Sequence, residues 1–153
     1  MRVALTAMGR RAMEMLRQYY HMEKRISEKE ERIQHLFDSA TRATPSLEAE
    51  RVSGSSEHSR LEAAIIRRID LEQQLDRIID DKNALRFDIQ DAIDRMKDER
   101  EARLLELKYI DGLSWASVDT RMEISEDSSR NIHYYALNHF AEIYYEKQQK
   151  SIA

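Results

Sequence analysis

The sequence predicts an all-α protein, and three observations of composition and pattern lead to that prediction. The 153 residues include 3 glycines and 1 proline, which is too few turn-forming residues for the many tight turns of a β-sandwich or barrel. Two long segments place apolar residues at helical spacing, and the C-terminal segment has the layout of three shorter helices. We therefore predict a long N-terminal antiparallel helical hairpin, similar to a coiled coil, followed by a C-terminal trihelical helix-turn-helix domain.

The first segment is predicted to form one amphipathic helix over residues 3–40. Apolar side chains recur there every three or four positions, so they share one stripe of a helix, and charged side chains occupy the opposite face. The stripe comprises Met8, Ala12, Met15, Tyr19, Met22, Ile26, Ile33, Leu36, Phe37 and Ala40. A single helix of this length cannot bury its stripe alone, so we expect it to fold back on the next helix.

A connector and a second helix complete the predicted hairpin over residues 1–96. The helical pattern stops at residues 41–59, where Pro45 and clustered serines disfavour a helix. The next helix is predicted to run from near Arg60 to at least Met96, with seven of eight heptad positions apolar. Those positions are Leu71, Leu75, Ile78, Lys82, Leu85, Ile89, Ala92 and Met96. A second partial stripe widens this face, and we expect the chain to form a homodimer.

Residues 97–153 are predicted to form the helix-turn-helix domain. A first helix over 98–109 is expected to end at Gly112, which can adopt the left-handed conformation that closes helices. Ser114 is a suitable N-cap for a short helix, and Ser125 for a last helix that continues to about residue 148. The apolar residues expected to pack in this domain are Trp115, Val118, Met122, Ile124, Ile132, Ala136, Leu137, Phe140 and Ile143.

The exposed start of the last helix supplies the candidate functional residues, because that end enters the major groove in helix-turn-helix proteins. Arginine pairs bidentately with guanine and asparagine with adenine, so Arg130 and Asn131 are the predicted base-reading residues. Ser128 and Ser129 are predicted to contact phosphate, and Tyr134 to pack on the sugar-phosphate edge. The predicted partner is therefore double-stranded DNA.

The charge distribution argues against strong binding to DNA. The net charge of the chain is −4, and residues 97–153 contain eight bases against eleven acids. Glu126 and Asp127 suit the positive end of the helix dipole, but they repel phosphate. We therefore expect weak binding unless dimerisation or another protein supplies further contacts.

Other chemistry has little support in the sequence. The chain has no cysteine, and His133 and His139 lie six residues apart rather than the four that brings two ligands onto one helix face. Motifs for phosphate loops and for catalytic nucleophiles do not occur in it. We expect no enzymatic activity, no cofactor, no metal and no small-molecule substrate. No stretch approaches the roughly 18 consecutive apolar residues of a membrane-spanning helix, so we expect a cytoplasmic protein without membrane contact.

Two stretches of the C-terminal segment carry a resemblance to a known family. Residues 104–118, LLELKYIDGLSWASV, resemble the RYI-x-G-x-SW-x-x-I segment of phage-encoded late-operon transcriptional activators, with Lys108 where arginine is commoner. Residues 124–137 resemble the S-x-x-x-x-x-x-H-x-x-A-L recognition helix of that family, whose C-terminal domain resembles region 4 of sigma-70 factors. Thr44-Pro45 matches the TP connector that follows the long N-terminal helix of such proteins.

The resemblance implies a DNA-binding regulator of phage or prophage late genes, which acts at a promoter with RNA polymerase in the cytoplasm of a bacterial host. It implies structural roles for Trp115 and His133. The DNA-facing residues that it implies are Ser128, Ser129, Arg130, Asn131 and Tyr134. The acids that begin this recognition helix depart from the family pattern, and they argue against strong DNA affinity by the chain alone.

Two other functions remain compatible with the sequence. A small terminase subunit would combine the same helix-turn-helix with a coiled coil, form a ring and bind packaging-site DNA. A coiled-coil adaptor would use the C-terminal domain to bind protein, which the net acidity of that domain favours. Particle mass separates a ring from a dimer, and salt-dependent DNA affinity separates both DNA-binding functions from the adaptor.

Overall fold

The computed structural model describes residues 2–42 and 50–152, and over these ranges the chain forms helices and no strand. The helices are α1 (Ala7–Arg42), α2 (Glu50–Asp94), α3 (Glu99–Leu105), α4 (Trp115–Met122) and α5 (Glu126–Ile152). Helix α3 continues directly into a π-helical turn, Glu106–Ile110. The predicted all-α class is confirmed. Among the helices described, none combines the length and the apolar character that crossing a bilayer requires.

The second helix begins earlier than the sequence predicts. Helix α2 starts at Glu50 instead of near Arg60, so the predicted connector of residues 41–59 is too long. Serine and glycine cost a helix at most about 1 kcal/mol each relative to alanine, and they weaken a long helix without ending it. Proline is the stronger breaker, and Pro45 lies with the rest of residues 43–49 outside the described part of the chain.

The chain divides into two compact units, and α1 and α2 each contribute to both. The first unit comprises Met1–His21 and Lys82–Ala153, and the second comprises Met22–Asp81. The first unit therefore contains the start of α1 and the end of α2 in addition to the three C-terminal helices. The domain boundary at residue 96 that the sequence suggests stays a prediction, because the compact units follow packing rather than segments of the chain.

The core of the first unit joins the C-terminal helices to both long helices. Full burial of one large aliphatic or aromatic side chain stabilises the folded state by roughly 1.5–3 kcal/mol. The largest fully buried side chains in it are Leu16, Tyr19, Ile89, Ile93, Leu104, Leu105, Leu107, Val118, Leu137 and Phe140. Most of the predicted packing residues lie in or against this core, with Trp115, Met122, Ile132 and Ile143 partly buried against it. This core fixes α5, which carries the candidate DNA-contacting residues.

The second unit has a smaller core, in which α1 and α2 pack side by side. Ile26 and Ile33 of α1 are buried in one cluster with Leu75 of α2. Leu71, Ile78 and Ile79 pack against that cluster. Its members belong to the stripes that the sequence assigns to the two long helices. The pairing expected of a helical hairpin is therefore present in this unit.

Candidate nucleic-acid interface

The turn before α4 has the conformation that the sequence predicts. Gly112 has a φ of +69°, in the left-handed region that favours glycine. A Cβ atom at this position would lie 3.3 Å from the Tyr20 ring, so space as well as conformation favours glycine. Ser114 then caps α4, because its Oγ accepts a hydrogen bond from the Ser117 amide at 3.2 Å.

The turn between α4 and α5 contains a left-handed residue that the sequence does not reveal. Glu123 has a φ of +55°, and the Ile124 amide donates to the Asp119 carbonyl oxygen at 3.1 Å, which closes the end of α4. Ser125 caps α5 as predicted, since its Oγ accepts from the Ser128 amide at 3.1 Å. The two caps and the left-handed turn set the direction in which α5 leaves α4.

A buried polar pair holds the first third of α5 against the preceding helices. The Tyr109 hydroxyl lies 2.7 Å from Nε2 of His133, and the Trp115 ring contacts the imidazole at 4.6 Å between centroids. Burial raises the pKa of Tyr109 to about 12. Burial, together with the positive charges of Arg17 and Lys108, lowers the pKa of His133 to about 4. At neutral pH the imidazole is therefore neutral and the phenol protonated, so the hydroxyl can donate to Nε2.

A hydrogen bond and an ion pair hold α5 further along its length. Nδ1 of His139 lies 2.7 Å from Oε2 of Glu101, a carboxylate of α3 that is largely buried. The Lys147 ammonium binds Asp91 of α2, and this hydrogen bond lowers the pKa of the aspartate. Helix α5 is thus bound to both α3 and α2 within the first unit.

The five predicted DNA-contacting residues differ in how accessible the structure leaves them. Ser128 and Arg130 are exposed, and the Arg130 guanidinium lies 3.6 Å from the Glu126 carboxylate. Asn131 and Tyr134 are half-buried. Ser129 is only 3% exposed, because it lies one helical turn before the buried His133 on the inner face of α5. The structure thus brings four of the five to accessible positions near the start of α5.

Sequence reasoning missed a short segment that lies on α5, residues 2–6, which we call the N-terminal arm. The Val3 amide donates to Oδ1 of Asn131 at 3.1 Å. Asn138, two turns further along α5, accepts from the Thr6 amide at 2.9 Å and donates to the Ala4 carbonyl oxygen at 2.9 Å. Two asparagines seven residues apart share one face of a helix, and this spacing was the available signal.

The start of α1 is built for close approach to the same asparagine. The Thr6 hydroxyl donates to Oδ1 of Asn138 at 3.0 Å and accepts from the Gly9 amide at 2.9 Å, so it also caps α1. Gly9 is buried, and a Cβ atom there would overlap the Asn138 amide oxygen. Glycine at this position therefore allows the helix and the asparagine to come together.

Two open cavities flank Arg130, and basic side chains from outside α5 line both of them. The first, of about 480 Å³, lies between the arm and α5. Its lining residues are Arg2, Val3, Asp127, Ser128, Arg130, Asn131 and Tyr134. The second, of about 460 Å³, includes Arg17, Lys108 and Asp119 in its lining. The basic side chains of Arg2, Arg17 and Lys108 bring positive charge close to the acids that begin α5.

This arrangement is that of a helix-turn-helix DNA-binding domain of the sigma-70 region 4 type, with a capped and partly exposed helix behind a short supporting helix. The model of the family described as ECF sigma factor matches residues 64–141, just over half of the chain. The chain belongs to this family. Comparison with curated proteins and with solved structures gave no significant match.

Proposed function

We propose that this protein is a sequence-specific DNA-binding regulator that activates late genes of a phage or prophage together with host RNA polymerase. The observation that carries the proposal is the exposed Arg130 at the start of α5, on a helix whose inner face is fixed by buried contacts. The family match across α3, α4 and most of α5 supports DNA binding as its activity. The role is one of binding, without catalysis or a cofactor.

The charges near α5 explain why a partner belongs to this proposal. Glu126 and Asp127 oppose phosphate at the helix start, and the Glu126 carboxylate lies close to the Arg130 guanidinium. Affinity from this surface alone is therefore expected to be low, because phosphate neutralisation supplies most of the free energy of nonspecific binding. A promoter complex with RNA polymerase supplies the further contacts, and dimerisation does so as well.

An exposed apolar surface on the second unit supports the proposed homodimer. Leu61, Ile65 and Ile69 of α2 follow one another at a spacing of four, and each is about half exposed. We call these three residues the apolar stripe. Phe37 of α1 lies beside it, with the Arg68 guanidinium 4.5 Å from the centre of its ring. Contiguous apolar surface of this kind commonly marks a protein interface.

The experiment that tests the proposal is selection of bound fragments from the source genome, at two salt concentrations, with and without RNA polymerase. We expect enrichment of a site upstream of a structural or lysis operon. Arg130→Ala is expected to weaken binding to that site by roughly 5- to 150-fold, which corresponds to the 1–3 kcal/mol of a bidentate arginine–guanine contact. The matched control is Arg86→Ala, which removes an exposed arginine of α2.

Other results of the same selection would contradict the proposal. Enrichment beside a packaging gene, with a ring-sized particle mass, would instead indicate a small terminase subunit. No enrichment at low salt, even with polymerase present, would indicate a protein-binding adaptor. Equal losses for Arg130→Ala and Arg86→Ala would show that α5 does not read bases through Arg130.

A further inference from the structure

We infer that the N-terminal arm is part of the DNA-binding surface, where Arg2 contacts a backbone phosphate and Asn131 and Asn138 hold the arm in position. The inference rests on the proposed function, and it adds a second segment of the chain to the interface. Arg2 is exposed and lines the same cavity as Arg130, although 128 positions separate the two residues in the chain. The sequence motif of the helix-turn-helix does not include either the arm or Asn138.

The start of α5 carries more acidic than basic side chains. That helix begins with Glu126 and Asp127, and Arg130 is the one base in its first two turns. The local charge is therefore negative, which disfavours contact with phosphate. Arg2 brings a second guanidinium to the cavity beside Arg130, so the arm supplies positive charge that α5 itself lacks.

Asn131, which the sequence assigns to base reading, is bound to the arm. Its Oδ1 accepts a hydrogen bond from the Val3 amide at 3.1 Å, so the side-chain amide is oriented by the arm. Bidentate pairing with adenine needs the amide oxygen and the amide nitrogen together, both directed at the base edge. The geometry therefore favours Asn131 as a residue that positions the arm, and it leaves Arg130 as the base reader.

Several hydrogen bonds made by the side chain of Asn138 fix the arm. Asn138 uses its amide oxygen to accept from the Thr6 amide and hydroxyl, and its amide nitrogen to donate to Ala4. Thr6 is in turn fixed as the N-cap of α1 by the Gly9 amide. A side chain such as Arg2 loses less conformational entropy on binding when the backbone beside it is already fixed.

The same contacts also fit an opposite function, in which the arm covers α5 and blocks DNA. The two functions predict opposite changes in DNA affinity when the arm is released from α5. If the arm contributes contacts, releasing it weakens binding and lowers the salt dependence. If the arm blocks the surface, releasing it strengthens binding. The charge of Arg2 favours the first, because a blocking segment over a DNA-binding surface would be expected to carry acids.

The test is the dependence of DNA affinity on salt for the full chain and its variants, using the site found by selection, with polymerase present if the chain needs it. Each phosphate that a cation neutralises contributes about 0.9 to the slope of log affinity against log salt concentration. We expect Arg2→Ala to lower the slope by about that amount. Asn138→Ala should also lower the slope. The double variant Arg2→Ala/Asn138→Ala should lower it little further than Arg2→Ala alone.

Two further variants test whether the change in slope comes from the arm. Asn83→Ala removes an exposed asparagine of α2 and should leave the slope unchanged. Asn138→Asp keeps an oxygen acceptor for Thr6 but loses the donor to Ala4, so it serves if Asn138→Ala folds poorly, as judged by circular dichroism. An unchanged slope for Arg2→Ala overturns the inference, and so does tighter binding by either Asn138 variant. Absence of DNA binding by the unaltered chain, with and without polymerase, overturns the proposed function and the inference with it.

Discussion

The buried His133 leads to a prediction about acid stability. Its side chain is 6% exposed, and burial together with Arg17 and Lys108 lowers its pKa to about 4. The ordinary value in an unfolded chain is about 6.5. Between these two values the unfolded state binds more protons than the folded state, so the free energy of unfolding rises with pH across this window. The stability that the neutral imidazole contributes is therefore lost as the pH falls from about 6.5 to 4.

The magnitude follows from the separation of the two pKa values. Full protonation of His133 lowers the free energy of unfolding by about 3 kcal/mol. Lowering the pH from 8 to 5 lowers it by about 2 kcal/mol. This is a large part of the stability of a small domain, which is typically about 5–15 kcal/mol. The assay is reversible denaturant unfolding, followed by circular dichroism at several pH values between 8 and 5.

A variant without the imidazole separates His133 from other titrating groups. His133→Gln lowers stability at pH 8, because it removes the packed ring and the Nε2 atom that accepts from the Tyr109 hydroxyl. It should nevertheless lose about 2 kcal/mol less than the unaltered chain on going to pH 5. His35→Gln, which removes an exposed histidine of α1, is the matched control and should keep the full pH dependence. Parallel loss of stability in all three proteins would refute the reasoning.

Three further predictions concern a turn, the apolar stripe and the arm. Gly112→Ala should destabilise the fold by roughly 1–2 kcal/mol in denaturant unfolding, because its φ of +69° disfavours a side chain; an unchanged midpoint would contradict this. Ile65→Asp in the apolar stripe should lower the particle mass from dimer to monomer in light scattering, whereas an unchanged mass would place the dimer contact elsewhere. Gly9→Ala should favour the helix by about 1 kcal/mol yet displace the arm, so hydrogen exchange at the Val3 amide should accelerate. Exchange as slow as in the unaltered chain would show that the arm tolerates the added methyl group.

The features that the sequence predicted correctly are those set by local chemistry. Ser114 and Ser125 each accept from a backbone amide three residues ahead, and Gly112 adopts a left-handed turn conformation, so these roles can be read from neighbouring positions. The start of α2 was placed too late because serine and glycine weaken a helix without necessarily ending it. Glu123 was missed because a left-handed glutamate has no marker in the sequence, unlike glycine.

The candidate site was predictable only in part, because only some of its features are set by residues close together in the sequence. Arg130 is exposed as expected, since it lies opposite the apolar face of α5. Ser129 lies on the buried face, at helical spacing from His133 and Ala136, and that spacing was available in the sequence. The arm was not foreseen, because its hydrogen bonds to α5 join residues more than 125 positions apart. The spacing of Asn131 and Asn138 shows that they share one face of a helix, but it does not show which segment lies on that face.

The packing of the first unit indicates why the helix-turn-helix needs the start of α1. Leu16 and Tyr19 are fully buried in one core with α3 and α5, and the Arg11 guanidinium lies 4.6 Å from the centre of the Tyr145 ring. Helix α1 lies outside the residues that match the family model. Since the Thr6 cap that starts α1 also binds Asn138, the segment that completes the core also positions the arm on α5. Stability of this unit and the proposed DNA contact by Arg2 therefore depend on the same few residues.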